Sequence, residues 1–247
     1  MSNPKIFIGH CFFDKNRVIK YQKTMKLVFK KTKYDLAFGI TGTIRDDEIK
    51  NISSLVDHAD YCIYDLMGHS ADKYKLNLNV ILELGISIGA SKKYYVMCPE
   101  KEEYRTVFQN QLSNLKYKIP REYEIDNKKS FLKALGDIKK IIDEDWLIVQ
   151  ANKKCETKKV KINEDKFLLT AEVLSTKELE VFIEKACDYK KKSGSPFNYI
   201  YDLSLADDVK QKIWDSVFMR EKGRKAKHTY NETKNSYEIV NKIKTVL

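Results

Sequence analysis

The chain has 247 residues, 43% apolar and 33% charged, with 46 basic against 35 acidic residues and a formal charge of +11. That length supports one large domain or two modest ones, and no apolar run reaches the roughly 18–20 residues that span a bilayer. The opening Met1–Ile8 is too short and wrongly flanked for a signal peptide. Five scattered cysteines (Cys11, Cys62, Cys98, Cys155, Cys187) without a C-x-x-C pair point to a reducing compartment, by default the cytoplasm, and away from a zinc site.

The first 145 or so residues alternate short apolar strands with amphipathic helices. Ile6–Ile8 reads as a buried strand closed by Gly9. Asp14 is placed to cap a helix running to about Lys31, with Val18, Tyr21, Met25, Leu27 and Val28 at near-helical spacing. Asp35–Phe38 is the second strand, followed by a two-glycine loop, Gly39–Thr43, and a helix over Asp46–His58 with Ile49, Ile52, Leu55 and Val56 inward. Tyr61–Leu66 is the third strand. After a short polar loop comes the apolar helix around Glu83, then a fourth strand from Lys93 to Met97 stopped by Pro99. A fifth strand is expected near Glu122–Ile125, then a helix from Ser130 to about Asp145. Strands separated by helices of this length predict right-handed βαβ units and a three-layer, Rossmann-like parallel sheet.

The pattern changes after Trp146, which divides the chain into residues 1–148 and a smaller part, 149–247, of α+β or mostly helical character. Lys153–Lys159 reads as a solvated linker or turn, and Val160–Ile162 with Phe167–Val173 as a strand pair. Thr176 starts a helix to about Lys192, with Glu178 and Glu180 near its positive end. Ser193–Pro196 breaks that helix, and a last one covers Ala206–Phe218. Residues 1–148 carry 25 basic and 20 acidic residues, and residues 149–247 carry 21 and 15. Such a balance favours anionic partners, or simply reflects a lysine-rich surface. The runs Lys190–Lys192 and Arg220–Lys227, with Tyr189, Phe197, Tyr199 and Tyr230 nearby, suit either a nucleic-acid backbone or solvated helix ends.

Ligands bind parallel sheets of this kind at the carboxyl ends of the strands. Three such ends, Gly9–Phe12, Gly39–Thr43 and Asp65–His69, lie beside the start of the Glu83 helix. Glu83 shares a helical face with Val80, Leu84 and Ser87, and an unpartnered buried carboxylate costs several kcal/mol. Gly85 and Gly89, four apart, are expected to let a strand or ligand approach this helix. A desolvated carboxylate facing a sugar stabilises the oxocarbenium ion that forms when an N-glycosidic bond breaks. The competing role for Glu83 is an ion pair or a loop cap.

Around it, Asp65 is placed to accept hydrogen bonds from a base or ribose, or to cap its own loop. His10 and Phe12 follow the first strand, and His69 sits in the third loop. Thr41, Gly42 and Thr43 offer backbone N–H groups to a phosphate. Asn77 and Asn79 lead into the helix as caps or substrate contacts. The chain has neither a P-loop run nor G-x-G-x-x-G, which disfavours ordinary kinase and dehydrogenase chemistry.

The block formed by Asp65, a polar loop and Asn79-Val80-x-x-Glu83-Leu84-Gly85-x-x-x-Gly89 resembles the superfamily that joins TIR domains and nucleoside 2-deoxyribosyltransferase-like proteins. Ile6-Phe7-Ile8-Gly9-His10, with Asp14 after a short gap, resembles the opening strand and loop of TIR-like domains. The resemblance covers about residues 4–145 and implies a flavodoxin-like or TIR-like fold. It implies cleavage of N-glycosidic bonds of nucleosides or NAD, with Glu83 catalytic and Asp65 holding the substrate, and a role in antiphage defence or nucleotide signalling. Deoxyribosyltransferases carry Asp-Gly-Thr-x-x-Glu-x-Gly; Asn77 stands here at the Asp position, followed by Leu78-Asn79, which argues against deoxyribosyl transfer.

The expected function is therefore an N-glycosidase, most simply hydrolysing NAD, which is substrate and not cofactor; no cofactor or metal is expected. Glu83 is the catalyst, and His10, Phe12, Asp14, Thr41, Gly42, Thr43, Asp65, His69, Asn77 and Asn79 bind the substrate. Assembly into a homo-oligomer on activation is expected of such an enzyme. The alternative is a non-catalytic nucleotide sensor whose residues 149–247 meet a protein or nucleic-acid partner. Neither reading involves a membrane.

Overall fold

The computed structural model describes residues 3–11, 15–30, 33–39, 46–68, 76–102, 104, 106, 120–156, 161–193 and 207–219. The chain divides into two compact units, Met1–Asp143 and Glu144–Leu247.

Among its described residues the first unit holds five strands: β1 (Lys5–Gly9), β2 (Asp35–Phe38), β3 (Tyr61–Asp65), β4 (Lys93–Pro99) and β5 (Arg121–Tyr123). They form one sheet in the order β2-β1-β3-β4-β5 with every pairing parallel. Its helices include α1 (Lys15–Val28), α2 (Asp46–Asp57), α3 (Leu78–Gly89) and the start of α4 (Lys128–Glu156). This is the expected Rossmann-like α/β architecture. The strand order turns back between β1 and β3, so their carboxyl ends diverge and leave the crevice where doubly wound sheets take ligands.

β3 is buried along its whole length, as a strand covered by helices on both faces must be. Alternation along it sends Cys62 and Tyr64 into a core with Phe7, Ile52, Val56, Val80, Leu84, Val96 and Tyr104, the layer of α2 and α3. Asp65 takes the opposite face. In α1 Met25 is buried and Tyr21 turns its ring toward His10, whereas Leu27, read at near-helical spacing with them, is 65% exposed because the helical period carries it round to solvent. Gly85 and Gly89 also differ from expectation: a side-chain carbon at either would meet nothing within 4 Å, so α3 turns both to the outside.

The described elements of the second unit are helices. α4 runs 29 residues, well past Asp145, and takes in Lys153–Glu156, expected as linker. α5 (Glu164–Ala171) replaces the expected strand from Phe167 to Val173. Its start carries the reason: the Asn163 side chain accepts from the Lys166 N–H at 3.0 Å, and Glu164 and Asp165 fill the positive first turn. No strand forms over residues 161–163, and Val160 lies outside the described residues. α6 (Thr176–Ser193) opens on a capping box in which Ser175 N–H donates to Glu178 Oε2 at 2.7 Å and Glu178 N–H donates to Ser175 Oγ at 3.4 Å. α7 (Asp207–Ile213) continues into a π-helical turn, Trp214–Met219. Phe167, Phe182, Ile183, Ile213 and Trp214 pack together in this unit's core. The Arg220–Lys227 run lies outside the described residues, as do the side chains of Lys190–Lys192.

Cysteine pairing corrects another expectation. Cys155 on α4 and Cys187 on α6 join as a disulfide, with Cα atoms 5.4 Å apart. Two helices crossing in a core bring the pair together across a separation of 32 residues, which no local spacing reveals. The pairing removes the cysteine argument for a reducing compartment. Closing a loop of that length stabilises the fold by about 3–4 kcal/mol in the chain-entropy account. Reductant is therefore expected to lower the urea midpoint of the protein, and to leave that of a Cys187→Ala variant unmoved. Equal sensitivity of both proteins to reductant would refute the pairing.

Candidate functional site

Glu83 sits in the middle of α3, only 3% exposed, on the face it shares with Val80, Leu84 and Ser87. Asn77 caps the helix, its side chain accepting from the N–H groups of Asn79 at 3.0 Å and Val80 at 3.2 Å. The helix is seated on β3 by the Tyr64 hydroxyl, which donates to the Glu83 carbonyl at 3.1 Å and shares a hydrogen bond with Ser87 Oγ. With its backbone held this way, Glu83 projects its carboxyl group at the ends of β1 and β2. A side-chain carbon added to Gly39 would lie 2.7 Å from Glu83 Oε1, and one added to Gly9 would collide with Oε2 and the Tyr64 ring. The carboxyl group thus fills space left by two strand-end glycines. These two residues belong to the site, and their position directly after each apolar strand was the available signal.

Among the described residues Glu83 Oε2 has no hydrogen-bond partner. Burial alone pushes the carboxyl pKa up, to about 8, because a charge without partners is poorly solvated there. The group therefore carries its proton over much of the neutral range and ionises readily once something positive approaches.

A second set of polar residues lies on the other face of the sheet. His10, 3% exposed, donates from Nδ1 to the Cys11 carbonyl at 3.0 Å, a role that fixes its tautomer. Its ring stacks on Tyr21 at 4.3 Å and meets the Phe38 ring edge-on at 6.0 Å. Burial lowers its pKa to about 4 and keeps it neutral. Asp65, 4% exposed, accepts from the Tyr123 hydroxyl at 2.9 and 3.1 Å and from the Met67 N–H at 3.2 Å. The Tyr21 hydroxyl is close enough that, after burial, the Asp65 charge is the next cause of its raised pKa. Phe131 on α4 packs on Tyr21 at 5.4 Å and Tyr123 at 5.1 Å, closing the cluster.

The sequence-nominated residues thus fall into two groups. Glu83, Asn77 and Asn79 belong to α3, with Gly9 and Gly39 against the carboxyl group. His10 and Asp65 are linked through Tyr21 on the opposite face. Tyr21, Tyr64 and Tyr123 were not nominated, and the buried phenol is their common feature. Phe12, Asp14, Thr41, Gly42, Thr43 and His69 lie outside the described residues. Among the described residues no group of three or more His, Cys, Asp or Glu is arranged to hold a metal ion, and no helix is long and apolar enough to cross a membrane.

Two outcomes test this geometry. Glu83 binds a proton in the folded protein between its ordinary value of 4.5 and about 8, a range in which the unfolded chain has released it. Its contribution to stability is full below pH 4.5 and is lost as pH rises through about 8. Relative to wild type, Glu83→Gln should become progressively more stable across that window and then level off, read by urea unfolding at several pH values. A pH-independent difference contradicts the buried, unpartnered carboxyl. Separately, Tyr123→Phe removes the phenol donor to both Asp65 oxygens and should cost about 1.5–3 kcal/mol, as for a hydrogen bond to a buried charge. Unfolding free energies within about 0.5 kcal/mol of each other, the usual range for a neutral surface change, would contradict that bond.

No family model and no curated protein matches the chain. Solved structures that match include a 2-desoxiribosyltransferase from Leishmania mexicana, at 14% identity and a TM-score of 0.34, covering 38% of this chain and 64% of that one. A CMP N-glycosidase from Clostridium botulinum matches at 14% identity and a TM-score of 0.37, over 53% of this chain and 96% of that one. A conserved protein from Enterococcus faecalis matches at 14% identity and a TM-score of 0.32, over 48% and 77%. This chain therefore spans just under two thirds of the Leishmania transferase. Likeness at these scores carries no chemistry across, which leaves the reaction to be argued from the site itself.

Proposed function

We propose that the first unit is an N-glycosidase that cleaves the bond between a base and the anomeric carbon of a nucleotide or nucleoside. The observation that carries this reading is the buried Glu83 carboxyl, whose Oε2 lacks a hydrogen-bond partner among the described residues, at the carboxyl ends of β1 and β2. Such a group serves a reaction that develops positive charge beside it. As the glycosidic bond breaks, the base departs with the bonding electron pair and the sugar becomes an oxocarbenium ion. An ionised Glu83 facing that ion is stabilised by it, and stabilises it more than the neutral ground state. Water then adds to the anomeric carbon and gives up a proton, leaving free base and a sugar or sugar phosphate.

Asp65, oriented by Tyr123, supplies a second carboxylate near the switch point of the sheet, suited to ribose hydroxyls or an exocyclic amine. NAD is the substrate of first choice, on the sequence resemblance. Asn77, committed to capping α3, stands where a deoxyribosyltransferase has Asp, which favours water over a second base as the acceptor.

The purified protein, incubated with NAD and with a panel of nucleotides and nucleosides, is expected to release free base. Glu83→Gln should lose at least about 10²-fold in kcat, the scale of one electrostatic stabiliser. With an ionised Glu83 required, kcat/KM should rise with pH and level off above about 8. Full activity in Glu83→Gln, or a profile falling over the same range, rules out this role.

A further inference from the structure

We propose that Gly39 is a positioning residue: its lack of a side chain, on a backbone tied to β1, keeps open the seat that directs the Glu83 carboxyl group to the ligand edge. The inference deepens the N-glycosidase reading and rests on it for its kinetic consequence, though its steric part does not.

The backbone at Gly39 is fixed. Its N–H donates to the Ile8 carbonyl at 3.0 Å, extending a parallel ladder in which Ile8 is opposite Phe38. A side-chain carbon there has one direction in which to point. The three heavy atoms nearest to it all belong to the Glu83 carboxyl group: Oε1 at 2.7 Å, Cδ at 3.2 Å and Oε2 at 3.2 Å. Gly39 does not adopt the left-handed backbone that alanine avoids. An alanine is therefore compatible with the backbone at this point, and among the described residues its three nearest contacts all fall on one group. That group is the end of a flexible side chain, so the carboxyl swings away while the strand stays in place.

Gly9 presents the opposite case. A side-chain carbon there would also press on the Tyr64 ring, 2.6 Å from Cδ1 and 2.8 Å from Cε1. That ring lies in the core between β3 and α3, and its hydroxyl is engaged by Glu83 and Ser87. Substitution at Gly9 disturbs the fold, whereas substitution at Gly39 disturbs the direction of one carboxyl group. The two glycines look alike in sequence, each closing an apolar strand, and differ in what they do.

The test is a double-variant cycle with two readouts. Urea unfolding is measured for wild type, Gly39→Ala, Glu83→Ala and the combination, and base release from NAD for wild type and Gly39→Ala. Gly39→Ala is expected to lower kcat about 10²-fold with KM unchanged, the cost of a reacting group displaced by about 1 Å. The alanine should destabilise the Glu83 protein more than the Glu83→Ala protein, since the shortened residue leaves the seat empty. Should Gly39→Ala fail to fold, the combination with Glu83→Ala is expected to fold.

Equal destabilisation in both backgrounds, or failure of both to fold, overturns the assignment of Gly39. So does wild-type kcat in Gly39→Ala. Stability coupling between the two positions, in a protein that releases no base from any nucleotide, would retain the steric role of Gly39 and retire the glycosidase reading.

Discussion

A carboxyl group held out of water without a hydrogen-bond partner for Oε2 among the described residues is the constraint around which the first unit is arranged. Glu83 is reached through α3, and α3 is held at its start and at its middle. Asn77 satisfies the first backbone N–H groups, and Tyr64 ties the middle of the helix to β3 through the Glu83 carbonyl. Val80, Leu84 and Ser87 bury the same face. Each of these contacts acts on the backbone or on neighbouring residues. None of them neutralises the carboxyl group, so its raised pKa is the uncompensated cost of burial.

The pleat of the sheet explains why the polar residues form two groups. Residues of opposite parity on β1 and β3 face opposite layers, which sends Gly9 and Tyr64 toward α2 and α3, and His10 and Asp65 toward α1 and α4. The two groups use different physics. On one side Glu83 Oε2 lacks a donor among the described residues, and on the other a carboxylate has the Tyr123 hydroxyl and the Met67 N–H. His10 and Glu83 are both driven toward their neutral forms by burial, one by a lowered and the other by a raised pKa.

Much of this was legible in the sequence. Four apolar runs fell on β1 to β4, the fifth strand forms at Arg121–Tyr123 and so only overlaps the expected Glu122–Ile125, and the spacing of Val80, Glu83, Leu84 and Ser87 correctly placed Glu83 on a buried face. Features that depend on three-dimensional neighbours were not legible. Gly85 and Gly89 looked like points of close approach, yet helical rotation turns them outward, and the glycines against the carboxyl group are Gly9 and Gly39. The tyrosines that hold Asp65 and α3 are distant in sequence and carry no motif. In the second unit, Phe167–Val173 is apolar and short enough to suit a strand. The Asn163 cap and the acidic first turn decide for a helix, and a reading by hydrophobicity alone passes over both.

The contact between Gly39 and Glu83 also constrains the order in which such a site can change. Every replacement of a glycine adds at least one carbon, so no substitution at position 39 is neutral while a full-length glutamate occupies position 83. Once Glu83 is shortened, the three atoms that an added carbon would meet first are gone. The two positions are therefore coupled in magnitude: the glycine is more readily replaced after the glutamate has been lost than before.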